Sequence, residues 1–230
     1  MDKHYEALYT LQDEVLSIIA SFQSTLYLSG GTALSRFYLE HRYSDDLDLF
    51  THEVNLFADT SKLVIHALSE QWPHLAIAIN SRDFKRIVLS SGSVTLKIDL
   101  VADRLPRIGL PQTRRGFLVD SIRNIASNKI GAIMGRDEGR DIVDLWYIAR
   151  SRRFSWKTLL DDAARKEALE KNELVYRLET FPLDLVEEVP LFIPLDPQVL
   201  SQDLERMADD LAHEAENSLA AVGTPLLNEE

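Results

Sequence analysis

The stretch from Leu28 to Phe50, LSGGTALSRFYLEHRYSDDLDLF, decides how the rest of the chain is read. It begins with a glycine pair, Gly30 and Gly31, and ends with Asp45, Asp46 and Asp48 set among leucines. Side chains alternate along a strand, so Asp46, Asp48 and Phe50 share one face while Leu47 and Leu49 share the other. The leucines suit a core, which leaves two carboxylates on the opposite face only ~7 Å apart. Such closeness raises a pKa or repels unless a divalent cation reverses the balance. Hard oxygen ligands in this arrangement suit Mg²⁺, or Mn²⁺ in its place, and Mg²⁺ commonly combines one or two protein carboxylates with phosphate oxygens.

A third carboxylate is expected from a neighbouring strand. In VTLKIDL (94–100), Val94, Leu96, Ile98 and Leu100 form the apolar face and Thr95, Lys97 and Asp99 the other. Asp46, Asp48 and Asp99 together make a site for one or two metal ions, which would clamp the attacking and leaving oxygens of a phosphoryl displacement. Gly30-Gly31-Thr32 closes one strand and opens a helix, where free N–H groups and the helix dipole favour an anion. Glycine lets a phosphate approach the backbone, and Thr32 adds a hydroxyl. Either feature alone is more often a plain turn; in this order, embedded in strands, the pair is specific.

Outward from this segment, residues 4–22 have helical apolar spacing, 25–29 and 47–51 read as strands, and 56–71 as a second amphipathic helix. Residues 74–80, 84–90 and 93–102 read as strands, the last two joined at Ser91-Gly92. Beyond Pro111 the spacing turns helical over 120–134, 138–150, 155–170 and 197–221, with 181–197 as an acidic, proline-containing connector. The expected fold class is α/β (α+β): a mixed sheet with flanking helices over 1–111, then a helical domain over 112–230 that completes the active-site cleft and carries an acidic tail.

Composition sets the boundaries of function. The 230 residues are 45% hydrophobic and 27% charged, as in ordinary globular proteins. No apolar run approaches the ~20 residues that span a bilayer. The opening MDKHYEALYT lacks the layout of a secretory signal. Without cysteine there are no disulfides and no thiolate metal sites, which fits the cytoplasm. The net charge of −12 is uneven: 12 basic and 5 acidic residues over 104–157 give +7, while 5 basic and 18 acidic over 158–230 give −13. The middle segment can face a polyanion, or its arginines can pair with the acidic tail. His66 and His74 lack metal-ligand spacing, Trp72, Trp146 and Trp156 suit core or interface, and acyl-transfer motifs are missing.

With these residues in view, LSGGTAL…HRYSDDLDLF resembles the nucleotidyltransferase superfamily signature, a glycine turn followed by an Asp-x-Asp strand. It is more closely similar to the AbiEii/AbiGii toxin family, whose pattern before the paired aspartates matches His41, Arg42 and Ser44. ASNKIGAIMGRDEGRDIVDLWYIAR (126–150) is similar to that family's later motif, a lysine on one helix and Arg-Asp-x-x-Asp-Leu on the next. The resemblance covers roughly residues 25–150.

The resemblance implies a nucleotidyltransferase-like fold and an Mg²⁺-dependent enzyme that moves an NMP from an NTP to an acceptor, releasing pyrophosphate. It implies Asp46, Asp48, Asp99, Lys129 and Asp144 as catalytic residues. Gly30, Gly31, Thr32, Ser44 and Lys129 would contact the nucleotide, with Lys129 on the triphosphate. Asp141 is the alternative to Asp144, and both have a simpler reading as salt-bridge partners of Arg136 or Arg140. RNA, in particular the 3′ end of tRNA, is the expected acceptor, and a cognate antitoxin is a candidate partner; no membrane is involved. A nucleotide-binding toxin or regulatory module acting through protein interaction without transfer is the alternative.

Overall fold

A computed structural model describes residues 3–22 and 24–228. The chain forms two compact units. The first comprises Met1–Ala33, Ser44–Leu105 and Pro111–Asp120; the second comprises Leu34–Tyr43, Pro106–Leu110 and Ser121–Glu230.

The first unit is a seven-stranded mixed sheet with two long helices. Its strands are β1 (Tyr27–Ser29), β2 (Leu47–Thr51), β3 (Ala76–Asn80), β4 (Phe84–Ser91), β5 (Val94–Ala102), β6 (Gln112–Arg114) and β7 (Phe117–Val119), in the order β3-β4-β5-β2-β1-β7-β6. β2 runs parallel to β5, and β1 parallel to β7; the other neighbours are antiparallel. Helix α1 (Lys3–Ser21) packs on β5 and β7, and α3 (Phe57–Gln71) packs on α1 and β5. Between them lies the short α2 (Gly30–Leu34).

Register explains why one sheet face is a core. Ile87, Ile98 and Leu47 are consecutive partners across β4, β5 and β2, and Leu100, Leu49, Leu28 and Val119 continue the apolar face across β5, β2, β1 and β7. All seven side chains are fully buried. Leu8, Leu11, Val15 and Ile19 of α1, with Val64 and Leu68 of α3, are buried as well, as their helical spacing dictates. Truncating such a side chain typically costs about 2–5 kcal/mol, because the cavity adds to the lost transfer energy.

The second unit is helical. After α2 the chain makes one π-helical turn, Ser35–Leu39, ended by Glu40 in a left-handed conformation. Then come α4 (Ile122–Gly135), α5 (Gly139–Ser151), α6 (Trp156–Ala164), α7 (Lys171–Glu179), α8 (Asp184–Glu187) and α9 (Pro197–Ala212). Ser121 caps α4 by accepting from the Asn124 N–H, and Asp196 caps α9 by accepting from the Gln198 N–H with Pro197 in the first turn. Leu200, Leu204, Met207 and Leu211 of α9 are buried, and α9 packs on α5, α6 and α7.

Three boundaries differ from the sequence reading. Residues 112–119, expected within the helical half, form a hairpin in the first unit, turned at Arg115 and Gly116 with φ of 49° and 83°. Strands of three residues are too short to show alternation. The helix expected over 155–170 ends at Ala164, and a separate helix, α7, follows. The helix expected to reach 221 stops at Ala212, with His213 capping it.

Candidate active site

On the sheet face opposite the core, strand pairing lines up a row of polar side chains. Arg86 of β4 pairs with Asp99 of β5, Asp99 with Asp48 of β2, and Asp48 with Ser29 of β1. Asp120, one residue beyond β7, extends the row, accepting a 2.6 Å hydrogen bond from the Ser29 hydroxyl. The two aspartates separated by 51 positions in sequence are therefore direct neighbours on parallel strands.

Asp48 also stands against the glycine turn. Gly30 has φ of +69°, and a Cβ built there would lie 2.6 Å from Asp48 Oδ2. Glycine is required twice at this position, for the backbone conformation and for the carboxylate beside it. Thr32 and Ser44 are buried, with Thr32 Oγ1 2.8 Å from Ser44 Oγ and bonded to the Asp46 carbonyl. Gln12 of α1 donates to the carbonyls of Ser44 and Asp45 at 3.0 and 3.2 Å, and the Ser44 N–H donates to the Tyr9 hydroxyl. These hydroxyls stitch the glycine turn to the aspartate turn. They thereby fix where Asp46 and Asp48 enter the sheet.

The carboxylates are held by cations from neighbouring strands. Arg86 donates to both oxygens of Asp99, Nε to Oδ1 at 2.8 Å and Nη2 to Oδ2 at 2.7 Å. Lys97 forms an ion pair with Asp46. The Asp99 hydrogen bond, with Asp46 and Asp48 nearby, raises the pKa of Arg86 against the cost of burial. Among the described residues, no three acidic or histidine side chains are gathered closely enough to cage a metal ion. The donor set nevertheless fits a hard divalent cation: carboxylate oxygens from adjacent strands, on one face, with Asp46 and Asp48 part-exposed. The partners of Asp99 and Asp46, Arg86 and Lys97, are long, flexible side chains about one-third exposed. Residues 46, 48 and 99 would hold such an ion, and Gly30, Gly31, Thr32 and Ser44 lie in the same unit.

Lys129, Asp141 and Asp144 belong to the second unit, where they form a buried charge cluster with His41 and Arg42, flanked by the exposed Arg136. Lys129 lies 2.7 Å from Asp141 Oδ1 and 2.6 Å from Asp144 Oδ2. Asp144 also accepts from His41 Nε2 at 2.7 Å, Arg42 Nε at 2.7 Å and Arg42 Nη2 at 2.9 Å. Burial would raise the pKa of Asp144, but Lys129 and Arg42 hold it well below the usual carboxylate range. Burial, only partly offset by Asp144, lowers that of His41, whose buried Nδ1 has no hydrogen-bond partner among the described residues. Asp141 is shared between Lys129 and Arg136, so the salt-bridge reading holds for Asp141 with Arg136; Asp144 pairs instead with His41, Arg42 and Lys129, and Arg140 with Glu138.

Sequence reasoning gave no role to Arg86, Ser29 or Asp120, and none to Lys97 beyond its face of the strand. Lys97 and Arg86 carry a signal in hindsight, because both alternate with core residues on the aspartate face. Asp120 carries none until the three-residue β7 is known.

Comparison with known proteins agrees with this fold. A protein of Aquifex aeolicus (strain VF5), known as uncharacterized protein aq_aa25, is 29% identical over 152 residues, 64% of this chain and 70% of that protein. The crystal structure of JHP933 from Helicobacter pylori superposes with a TM-score of 0.64 at 19% identity, over 93% of this chain and 94% of that one. MenT4, the nucleotidyltransferase toxin Rv2826c of Mycobacterium tuberculosis H37Rv, superposes with a TM-score of 0.65 at 14% identity, over 91% and 84%. The model of the nucleotidyl transferase AbiEii toxin family, of type IV toxin–antitoxin systems, matches residues 15–223. The chain belongs to that family and is a nucleotidyltransferase.

Proposed function

We propose that the protein transfers an NMP from an NTP to an RNA acceptor, with the 3′ end of tRNA as the first candidate, using a divalent cation held on the aspartate face. The observation that carries this reading is the pairing of Asp48 with Asp99 on adjacent parallel strands, beside a glycine turn whose Cβ position is taken by the Asp48 carboxylate. Mg²⁺ bound there would supply charge stabilisation for the phosphoryl oxygens. The chain's own contribution is positioning. Gly30 and Gly31 offer backbone N–H groups where a phosphate can come close. Thr32 and Ser44 hold the aspartate turn in register with that bend. Asp46 and Asp48 supply hard oxygen ligands, and Asp99 completes the set or accepts the proton of the acceptor hydroxyl. Fixed charges of this kind act without reorganising at the moment of reaction.

Asp144 has every oxygen engaged by His41, Arg42 and Lys129, so its contribution is that of a positioning residue within the helical unit. Lys129 remains the candidate cation for the triphosphate, with Asp141 and Asp144 setting where its ammonium sits. The basic segment 104–157 is the candidate RNA-facing region. The reaction takes place in the cytoplasm, against NTP and RNA, with a cognate antitoxin as a further candidate partner.

The test is incubation with each α-labelled NTP, Mg²⁺ or Mn²⁺, and total RNA. Label moving to RNA, and lost in Asp46→Asn, supports transfer. NTP binding with label moving to no acceptor would favour a nucleotide-binding module that acts through protein interaction.

A further inference from the structure

Arg86 does more than neutralise a strand. Its fork occupies both oxygens of Asp99 at 2.8 and 2.7 Å, while Asp99 itself is only 9% exposed. No cation can gain full access to Asp99 while that fork is in place. Yet Arg86 is 34% exposed, and among the described residues it is held by Asp99 and by the Phe84 ring, 5.4 Å from its guanidinium. Lys97 stands in the same relation to Asp46, with 35% of its side chain exposed.

A divalent cation adds two positive charges to the face that carries Asp46, Asp48 and Asp99, so a polyphosphate is drawn to it more strongly once the ion is bound. A guanidinium released from a carboxylate also retains its planar donor fork, which matches phosphate oxygens equally well.

We propose that Arg86 is a further substrate-binding residue, parked on Asp99 until a divalent cation takes that carboxylate and then turned onto the nucleotide's phosphates, with Lys97 acting likewise from Asp46. This rests on the reading that the aspartate face takes a divalent cation. The consequence is a pair of opposite effects. Removing Arg86 frees Asp99, so cation affinity rises; it also removes a phosphate ligand, so nucleotide affinity falls.

The test uses the full chain and two probes. Mn²⁺ alone is titrated by electron paramagnetic resonance, and α,β-methylene-ATP in saturating Mn²⁺ by calorimetry. Arg86→Met is expected to bind Mn²⁺ about tenfold tighter and the nucleotide about tenfold weaker, the scale of one charge-assisted hydrogen-bonded contact. Shifts of the same sign, or no shift in either, would overturn the proposal, since a merely structural arginine moves both together. Should Arg86→Met fail to fold, ¹⁵N NMR of the wild type reads the same event. The Arg86 Nε–H resonance is expected to move when Mg²⁺ is added, and an unmoved resonance at saturation counts against exchange. Asp48→Asn separates the two levels. If wild type binds no Mn²⁺, or Asp48→Asn binds it equally well, the metal reading itself fails and the proposal with it. If binding depends on Asp48 but not on Arg86, only the proposal fails.

Discussion

Replacing Asp144 by asparagine removes one negative charge from the centre of the helical unit while keeping its size. Asp144 is fully buried and makes contacts of 2.6–2.9 Å with His41, Arg42 and Lys129. Arg42 and Lys129 are themselves 5% and 7% exposed, so water does not replace the lost partner. Lys129 keeps Asp141, but Arg42 loses its fork onto the Asp144 carboxylate, and the new amide turns two donors towards cations. Breaking a buried pair from one side costs about 3–5 kcal/mol, a factor of roughly 10² to 10⁴ in the folding constant. The assay is urea denaturation followed by far-UV circular dichroism, with the slope compared between the two proteins. The pH dependence carries a second signature. Because the folded carboxyl of Asp144 has a depressed pKa, its stabilisation is present above the unfolded value of about 3.9 and lost as pH falls through the folded value. Wild type should therefore lose stability more steeply than Asp144→Asn below about pH 4. A loss under about 1 kcal/mol, as for an exposed pair, together with parallel pH profiles, would refute the reasoning.

Gly30→Ala forces a side chain into φ of +69° and 2.6 Å from Asp48 Oδ2. It should destabilise by about 1–3 kcal/mol and weaken Mn²⁺ binding by displacing that carboxylate; unchanged melting and binding would show that the turn relaxes freely. Ile98→Ala, at the centre of the buried face, should cost about 2–5 kcal/mol in urea titrations without changing which NTP is used. If the basic segment contacts RNA, Arg and Lys should release counterions, and RNA affinity should fall steeply between about 50 and 200 mM salt; a flat response removes RNA from the acceptors.

Much of the sheet was legible because burial on one face leaves a period-two record. β2 lies where Leu47 and Leu49 alternate with Asp48, and β5 begins within one residue of expectation because Val94, Leu96, Ile98 and Leu100 alternate without interruption. The long helices α1 and α3 were legible for the equivalent reason at helical spacing. Short pieces left no such record: β6 and β7 have three residues each, and their hairpin is held by pairing to β1 rather than by its own pattern. The pairing of Asp48 with Asp99 was anticipated as convergence, but Arg86 on Asp99 depends on β4–β5 register, which no single strand encodes. Nor does local sequence show that His41 and Arg42 meet Asp144 more than a hundred residues later. The roles of Lys129 and Asp144 came from family likeness alone, and the geometry adds the buried cluster that likeness did not contain.

The central claim concerns the aspartate face as the seat of nucleotidyl transfer. It is tested most directly by measuring pyrophosphate release and label transfer from α-labelled NTP in Mg²⁺ for wild type and Asp48→Asn, each shown folded by an unchanged circular dichroism spectrum. The account predicts transfer by wild type and its loss by at least a hundredfold, about 2.7 kcal/mol of barrier, in Asp48→Asn. Equal transfer by a folded Asp48→Asn would contradict it and place the chemistry elsewhere in the chain.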